Sequence, residues 1–335
     1  MAAVMQFAVA ILPLLHQVAT QKSKRDPSMK SKEKEAQSKP RGKGGETAQQ
    51  WVWRNGKVLS ADAAQISPFD HGILVGDGVF ETLNSYNGEP FAASRHFRRL
   101  ERSAGKMGLQ VPDEGELLEA MRMVMKANGL TKARIRVTIT GGISPLGSDR
   151  GTDQHTVLVA ASPVPEYGEV GKVITVPFTR NENSALVGVK STSYGENVVA
   201  LAEAKKHGAV EAIFANNAGM LCEGTGSNIF VVVDGELLTP TLASACLAGV
   251  TRSVVLDVCA ELGIAVSERD IPLGDLKKAE EAFLTSSLRE VQGIERVDDL
   301  SLPLAPGPVT QEISKGFRDF VSRNPDPSAE NFAFD

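Results

Sequence analysis

Residues 134–140, RIRVTIT, alternate without a break, with Ile135, Val137 and Ile139 on one side and Arg134, Arg136 and Thr138 on the other. That period predicts a strand with one face on a core. Upstream, VWRNGKVLSA predicts a hairpin, because Asn55-Gly56 supplies the positive-φ pair that a two-residue turn demands. A second strand is expected over Phe80–Tyr86, entered through the tight Gly76-Asp77-Gly78. A helix follows over about 94–107. Another starts at Asp113, with Glu116 three residues on, and stops at Asn128-Gly129; Leu118, Met121 and Met125 form its apolar stripe.

After HTVLVAASP, a further strand, the Pro- and Gly-punctuated PVPEYGEVG (163–171) reads as a linker. Beyond it the pattern predicts strands near 172–178, 209–215, 228–239 (a hairpin through Asp234-Gly235) and 281–287. Helices are predicted near 196–207, 251–262 and 309–323. Runs of strands with segregated helices indicate an α+β fold. The expected division is a small α/β domain over 51–165, a larger domain over 166–325 and a flexible tail over 326–335.

Composition narrows the partners. With 335 residues and 42% apolar content the chain can bury a full core, and a net charge of −5 argues against nucleic acid. Three cysteines, Cys222, Cys246 and Cys259, show no CxxC spacing, so disulfide frameworks and zinc ribbons are not expected and a cytoplasmic location is. His71 and His96 lack partners at metal-ligand spacing and read as structural, and no metal site is expected. The apolar run 2–15 is too short to span a bilayer and is interrupted by Gln6 and Pro13, so no membrane role is expected. The lysine-rich stretch 22–48 makes residues 1–50 a disordered basic extension.

Chemistry concentrates in a few places. Lys190 follows Val187-Gly188-Val189, an apolar approach that removes solvation, lowers an amine's pKa and helps it form an imine. Glu223 precedes Gly224-Thr225-Gly226-Ser227-Asn228, where the glycines serve either a turn or the close approach of backbone to a flat ligand. Gly249-Val250-Thr251-Arg252 opens a helix whose free N–H groups form a natural phosphate seat. Thr285-Ser286-Ser287 is a second hydroxyl cluster. The glycines at 141, 142, 147 and 151 lack the Gly-Lys-Ser/Thr of a P-loop.

Taken as a set, GDGVFET, RHFRRL, the lysine segment, EAIF, CEGTGSNIFVV, GELLTP, LAGVTR and FLTSSLREV resemble the class IV (fold type IV) enzymes that use pyridoxal 5'-phosphate (PLP), over about residues 51–323. That family includes branched-chain and D-amino-acid aminotransferases and 4-amino-4-deoxychorismate lyases. The resemblance implies two domains with the cofactor in the cleft. It makes Lys190 the Schiff-base lysine and general base, and Glu223 the partner of the pyridine nitrogen. Arg99, Val250, Thr251 and Ser287 would hold phosphate, Tyr194 the phenolic oxygen, and Asn228 would complete the cofactor set.

For substrate, the resemblance implies Phe80 on an apolar wall, Leu288 with Ser287 offering amides to a carboxylate, and Arg136 near a side-chain carboxylate. Arg136 reads equally as a cleft-wall charge. The chain has Gly141 where D-amino-acid enzymes hold the substrate carboxylate with an arginine. The implied function is amino transfer between a branched-chain-like amino acid and a 2-oxo acid such as 2-oxoglutarate, in a homodimer. The lyase, releasing pyruvate and 4-aminobenzoate, and a non-catalytic ligand-binding protein of the same fold are the alternatives. Arg289 would serve a second carboxylate or an ion pair.

Overall fold

A computed structural model of the chain describes residues 49–334 except 152, 153 and 331. The expectations for the apolar run 2–15 and the basic stretch 22–48 lie outside these residues.

The first sheet runs β2-β1-β6-β5-β3-β4, every pair antiparallel. Its strands are β1 (Trp51–Arg54), β2 (Lys57–Ser60), β3 (Gly78–Tyr86), β4 (Glu89–Pro90), β5 (Arg134–Thr140) and β6 (Thr156–Ser162). The alternation in β5 does what its period predicts: Ile135, Val137 and Ile139 are fully buried. They pack with Leu100 and Ala104 of α2 (Ala93–Met107) and with Leu117, Met121 and Val124 of α3 (Glu114–Ala127). A short helix, α1 (His71–Leu74), precedes β3. The stripe of α3 is wider than expected: Met121 and Met125 are buried as the pattern predicts, Leu117, Ala120 and Val124 join them, and Leu118 is only partly covered. Asp113 occupies the N-cap of α3, yet its side chain makes no capping bond there.

The second sheet runs β12-β11-β10-β13-β14-β7-β8-β9, with β15 on β14. Its strands are β7 (Val170–Arg180), β8 (Glu211–Asn216), β9 (Leu221–Gly224), β10 (Asn228–Val233), β11 (Glu236–Thr239), β12 (Val266–Glu268), β13 (Glu281–Ser286), β14 (Glu290–Val297) and β15 (Leu300–Ser301). Pairs β7–β8, β7–β14 and β11–β12 are parallel. One face packs α5 (Val250–Leu262) and α6 (Pro308–Arg323) through Val254, Val258, Ile313 and Phe317 onto the stacked rings of Phe230 and Phe283. On the other side Ala200 and Ala204 of α4 (Gly195–Lys206) pack against Ala212 and Phe214.

β14 escapes the sequence pattern because a register shift between Ile294 and Arg296 breaks its alternation and Gln292 is buried within it. Within the segment expected to be a flexible tail, described residues make contacts with the rest of the chain. Phe332 is 3% exposed, and Asp326 accepts bonds from the backbone and hydroxyl of Ser94. The N-cap residue of α2 is Ala92, which has no capping side chain, so Asp326 satisfies the helix start from the far end of the chain.

Candidate active site

A cavity of about 730 Å³ opens where the two sheets meet, and every residue singled out from the sequence lines it: Phe80, Arg99, Arg136, Lys190, Tyr194, Glu223, Asn228, Val250, Thr251, Ser287 and Leu288. They come from β3, α2, β5, the segment before α4, β9, β10, the start of α5 and the turn after β13.

Lys190 is held by its backbone. Its carbonyl accepts from Phe80 N–H, Thr192 N–H donates to Gly78, and its own N–H donates to Ser103 Oγ. This pairing adds the lysine segment to the edge of β3 and leaves the side chain over the Phe80 ring, with Nζ 4.6 Å from the centroid. Loss of solvation, reinforced by the Arg99 charge and partly opposed by Glu81 and Glu223, lowers its amine to about 8.

Glu223 lies on β9 opposite Phe214 of β8, so the strand, and not a loop, fixes its backbone. One carboxylate oxygen accepts from Leu247 N–H at 2.9 Å and the other lies 3.3 Å from Arg180 Nε. Burial pushes this carboxyl up, while Arg180, the Leu247 amide and Lys190 pull it down. Arg180 was not anticipated. Its guanidinium sits 4.1 Å above the Phe214 ring, and Nε has no hydrogen-bond partner in a buried position.

Of the two glycines after Glu223, a Cβ at Gly226 would meet nothing within 4 Å, whereas Gly224 is tightly packed. A Cβ at Gly224 would fall 2.5 Å from Ser227 Oγ and 2.9 Å from Glu211 Cγ, so the protein's own side chains require that glycine. Buried Glu211 accepts from Thr225 N–H and from the hydroxyls of Thr225 and Ser227, and pairs with Arg289 at 3.5 Å. Thr225 O in turn accepts from Tyr194 OH at 2.8 Å and from Asn197 Nδ2 at 2.6 Å. Arg289 is therefore committed internally: it also donates to Gln292 and to Val210 O and stacks against Tyr167. Arg136 lies over Phe80, with Cζ 3.8 Å from the ring centroid, and also lines the cavity.

A third cluster lies at the start of α5. Gly249 is its N-cap and no side chain caps the helix, so its first amides face the cavity beside Val250 and Thr251. Asn228 donates to Leu247 O, and a Cβ at Gly249 would meet Asn228 Oδ1 at 1.9 Å, which locks this corner. Arg99 reaches the same corner by donating to Ala248 O, while two further bonds of 2.7 Å tie it to fully buried Glu81. Thr285 Oγ1, also on the cavity wall, is buried without a partner. Glu81 and His96 were not singled out as site residues, although the i, i+3 spacing of His96 and Arg99 already places both on one helix face.

The chain matches the family model for Amino-transferase class IV over residues 78–297. It is 33% identical to the branched-chain-amino-acid aminotransferase of Pseudomonas aeruginosa, covering 83% of this chain and 95% of that protein. To the aminodeoxychorismate lyase of Bacillus subtilis it is 32% identical, covering 78% and 92%. Among solved structures, the T.th. branched-chain amino acid aminotransferase complexed with N-(5'-phosphopyridoxyl)-L-glutamate superposes with a TM-score of 0.77 at 27% identity, over 85% of this chain and 97% of that one. The chain belongs to the class IV aminotransferase family, and its fold is fold type IV.

Proposed function

We propose that this protein transfers an amino group between an amino acid with a branched-chain-like side chain and a 2-oxo acid such as 2-oxoglutarate. The cofactor is PLP, and the donor set fits it: a desolvated lysine, a largely buried carboxylate and an uncapped helix start share one cavity with an unpartnered threonine hydroxyl. The observation that carries the reading is geometric: Lys190 and Glu223 line one cavity together with Arg99 and the open start of α5.

When bound, PLP supplies an aldehyde that captures amines and a ring that accepts electron density. Lys190 Nζ would be the amine that captures the aldehyde, and as a free amine it would serve as general base for the proton on the substrate Cα. Glu223, aimed by Leu247 N–H and Arg180, would hold a proton on the ring nitrogen. The first amides of α5, Thr251 and Ser287, with the Arg99 charge, would hold the phosphate. Tyr194, fixed through Thr225, would serve the phenolic oxygen. Asn228 holds the 247–249 turn in place. Phe80 and Arg136 form the side-chain wall, and the backbone at Leu288 receives the substrate carboxylate. In this reading residues 51–165 and 166–325 act as two lobes, and the protein works as a homodimer in the cytoplasm.

The B. subtilis relative favours one other reading, a lyase in which Lys190 removes a ring proton and pyruvate leaves. Two assays side by side separate them: glutamate formation from branched-chain amino acids with 2-oxoglutarate, and pyruvate release from aminodeoxychorismate. Glutamate formation without pyruvate release is expected, and the reverse outcome rejects the transferase. Borohydride trapping followed by peptide mapping is expected to label Lys190. Label on another lysine, or none, removes Lys190 from its role.

A further inference from the structure

His96 stands on α2 directly behind the cavity wall, 2% exposed, with both ring nitrogens engaged. Nδ1 lies 2.7 Å from Glu81 Oε2 and Nε2 lies 3.4 Å from Ser287 Oγ. Glu81 is 1% exposed and chelated by Arg99, and although burial favours its neutral form, Arg99 and His96 hold it well below the usual carboxylate range. A carboxylate only accepts, so Nδ1 must carry a hydrogen. Burial keeps the imidazole neutral, which leaves Nε2 as a bare acceptor. The Ser287 hydroxyl then donates to Nε2 and turns its lone pairs toward the cavity. That orientation repels the anion this corner is otherwise built to receive, with Arg99, Thr251 and the helix amides all presenting positive charge or donors.

We propose that Glu81, His96 and Ser287 form a proton-coupled anion latch: entry of a phosphate-like dianion beside Ser287 draws one proton from solvent onto His96 Nε2. The new Nε2–H donates to Ser287 Oγ, and the serine O–H, its bond intact, swings to donate to the anion. His96 acts through Ser287 and is a positioning residue. Three charged neighbours govern the event: Glu81 on β3 favours the charged ring, and Arg99 on α2 and Lys190 before α4 oppose it. Glu114 on α3 also lines the small cavity beside the ring. An entering dianion offsets the two opposing cations, which links proton uptake to anion binding. The inference deepens the proposed function by adding pH control at its phosphate corner, and it rests on that corner being an anion site.

Inorganic sulfate tests the latch, because it has the shape and charge of a phosphate dianion and does not itself titrate near neutrality. The chain has five histidines, His16, His71, His96, His155 and His207, so histidine-selective 15N NMR on the full chain stripped of PLP resolves each ring, with His96→Gln assigning the signal. The expected result at pH 7.5 is that Nε2 of His96 moves from the position of a bare nitrogen to that of an N–H nitrogen as sulfate saturates. In Ser287→Ala sulfate should bind about tenfold more weakly, as for loss of one charge-assisted hydrogen bond, and the proton uptake should be lost. Sulfate affinity in the parent should fall as pH rises from 6 to 9, with a shallower fall in His96→Gln. Failure of sulfate to bind, or saturation with Nε2 still bare, overturns the latch. Borohydride labelling of Lys190 does not depend on either outcome, so the latch and the PLP reading fail separately.

Discussion

Lys190 shows how the proton affinity of one side chain depends on where its backbone is pinned. Three backbone hydrogen bonds of its segment, to Phe80, Gly78 and Ser103, point the side chain into the cavity, where the ammonium is partly withdrawn from water and the Phe80 face beneath it stabilises a cation only weakly compared with water. The amine is therefore neutral above about 8 and protonated below it. Because only the free amine attacks an aldehyde, the rate at which PLP-free protein recaptures PLP is expected to rise with pH and level off just above 8. An ordinary lysine would keep rising toward about 10.4. Stopped-flow absorbance of cofactor capture reads this directly, and a profile still climbing at pH 10 contradicts it. The lysine's apolar approach was visible in Val187-Gly188-Val189. The extent of its desolvation was not, since Arg99 and Phe80 reach it from distant stretches of chain.

Among the elements, α5 carries the sharpest constraint. Its amides can hold an anion only while its first turn stays open, and the Gly249–Asn228 contact sets that position. Gly249→Ala would force Asn228 aside and break its bond to Leu247 O, at a cost of about 1–3 kcal/mol. The expected outcome is PLP affinity at least tenfold weaker with a lowered melting temperature. Adding Asn228→Ala should recover part of both, because the clash is gone; a double variant no better than the single one rules out this contact as the cause. Most elements were legible because their apolar periods are clean, as in β5 and α3. β9 was not: four residues between glycine-rich turns carry no period of their own, and pairing with β8 makes them a strand.

Across the whole molecule, the last described residues reach back to α2, the helix that carries Arg99. Asp326 caps α2 through Ser94, Arg95 donates to Ser328 O, and Phe332 fills the core beneath. Asp326→Ala is expected to lower stability by about 1 kcal/mol, which moves the melting temperature by a few degrees, while Asp326→Asn keeps most of it. Thermal unfolding checks this, and an unchanged midpoint in the alanine variant would mean the cap contributes nothing.

What the sequence by itself determined was the family, the strand and helix periods, and which lysine, acid and helix start are candidates for its chemistry. Those are local properties, written in neighbouring residues. Only the tertiary structure decided how they act together. Glu211 holding the turn after Glu223, Arg180 steadying that acid and Glu81 joining Arg99 to His96 are contacts between segments far apart in the chain. The physical reason is that burial and charge pairing are set by what folds on top of a residue, and its sequence neighbours do not record that.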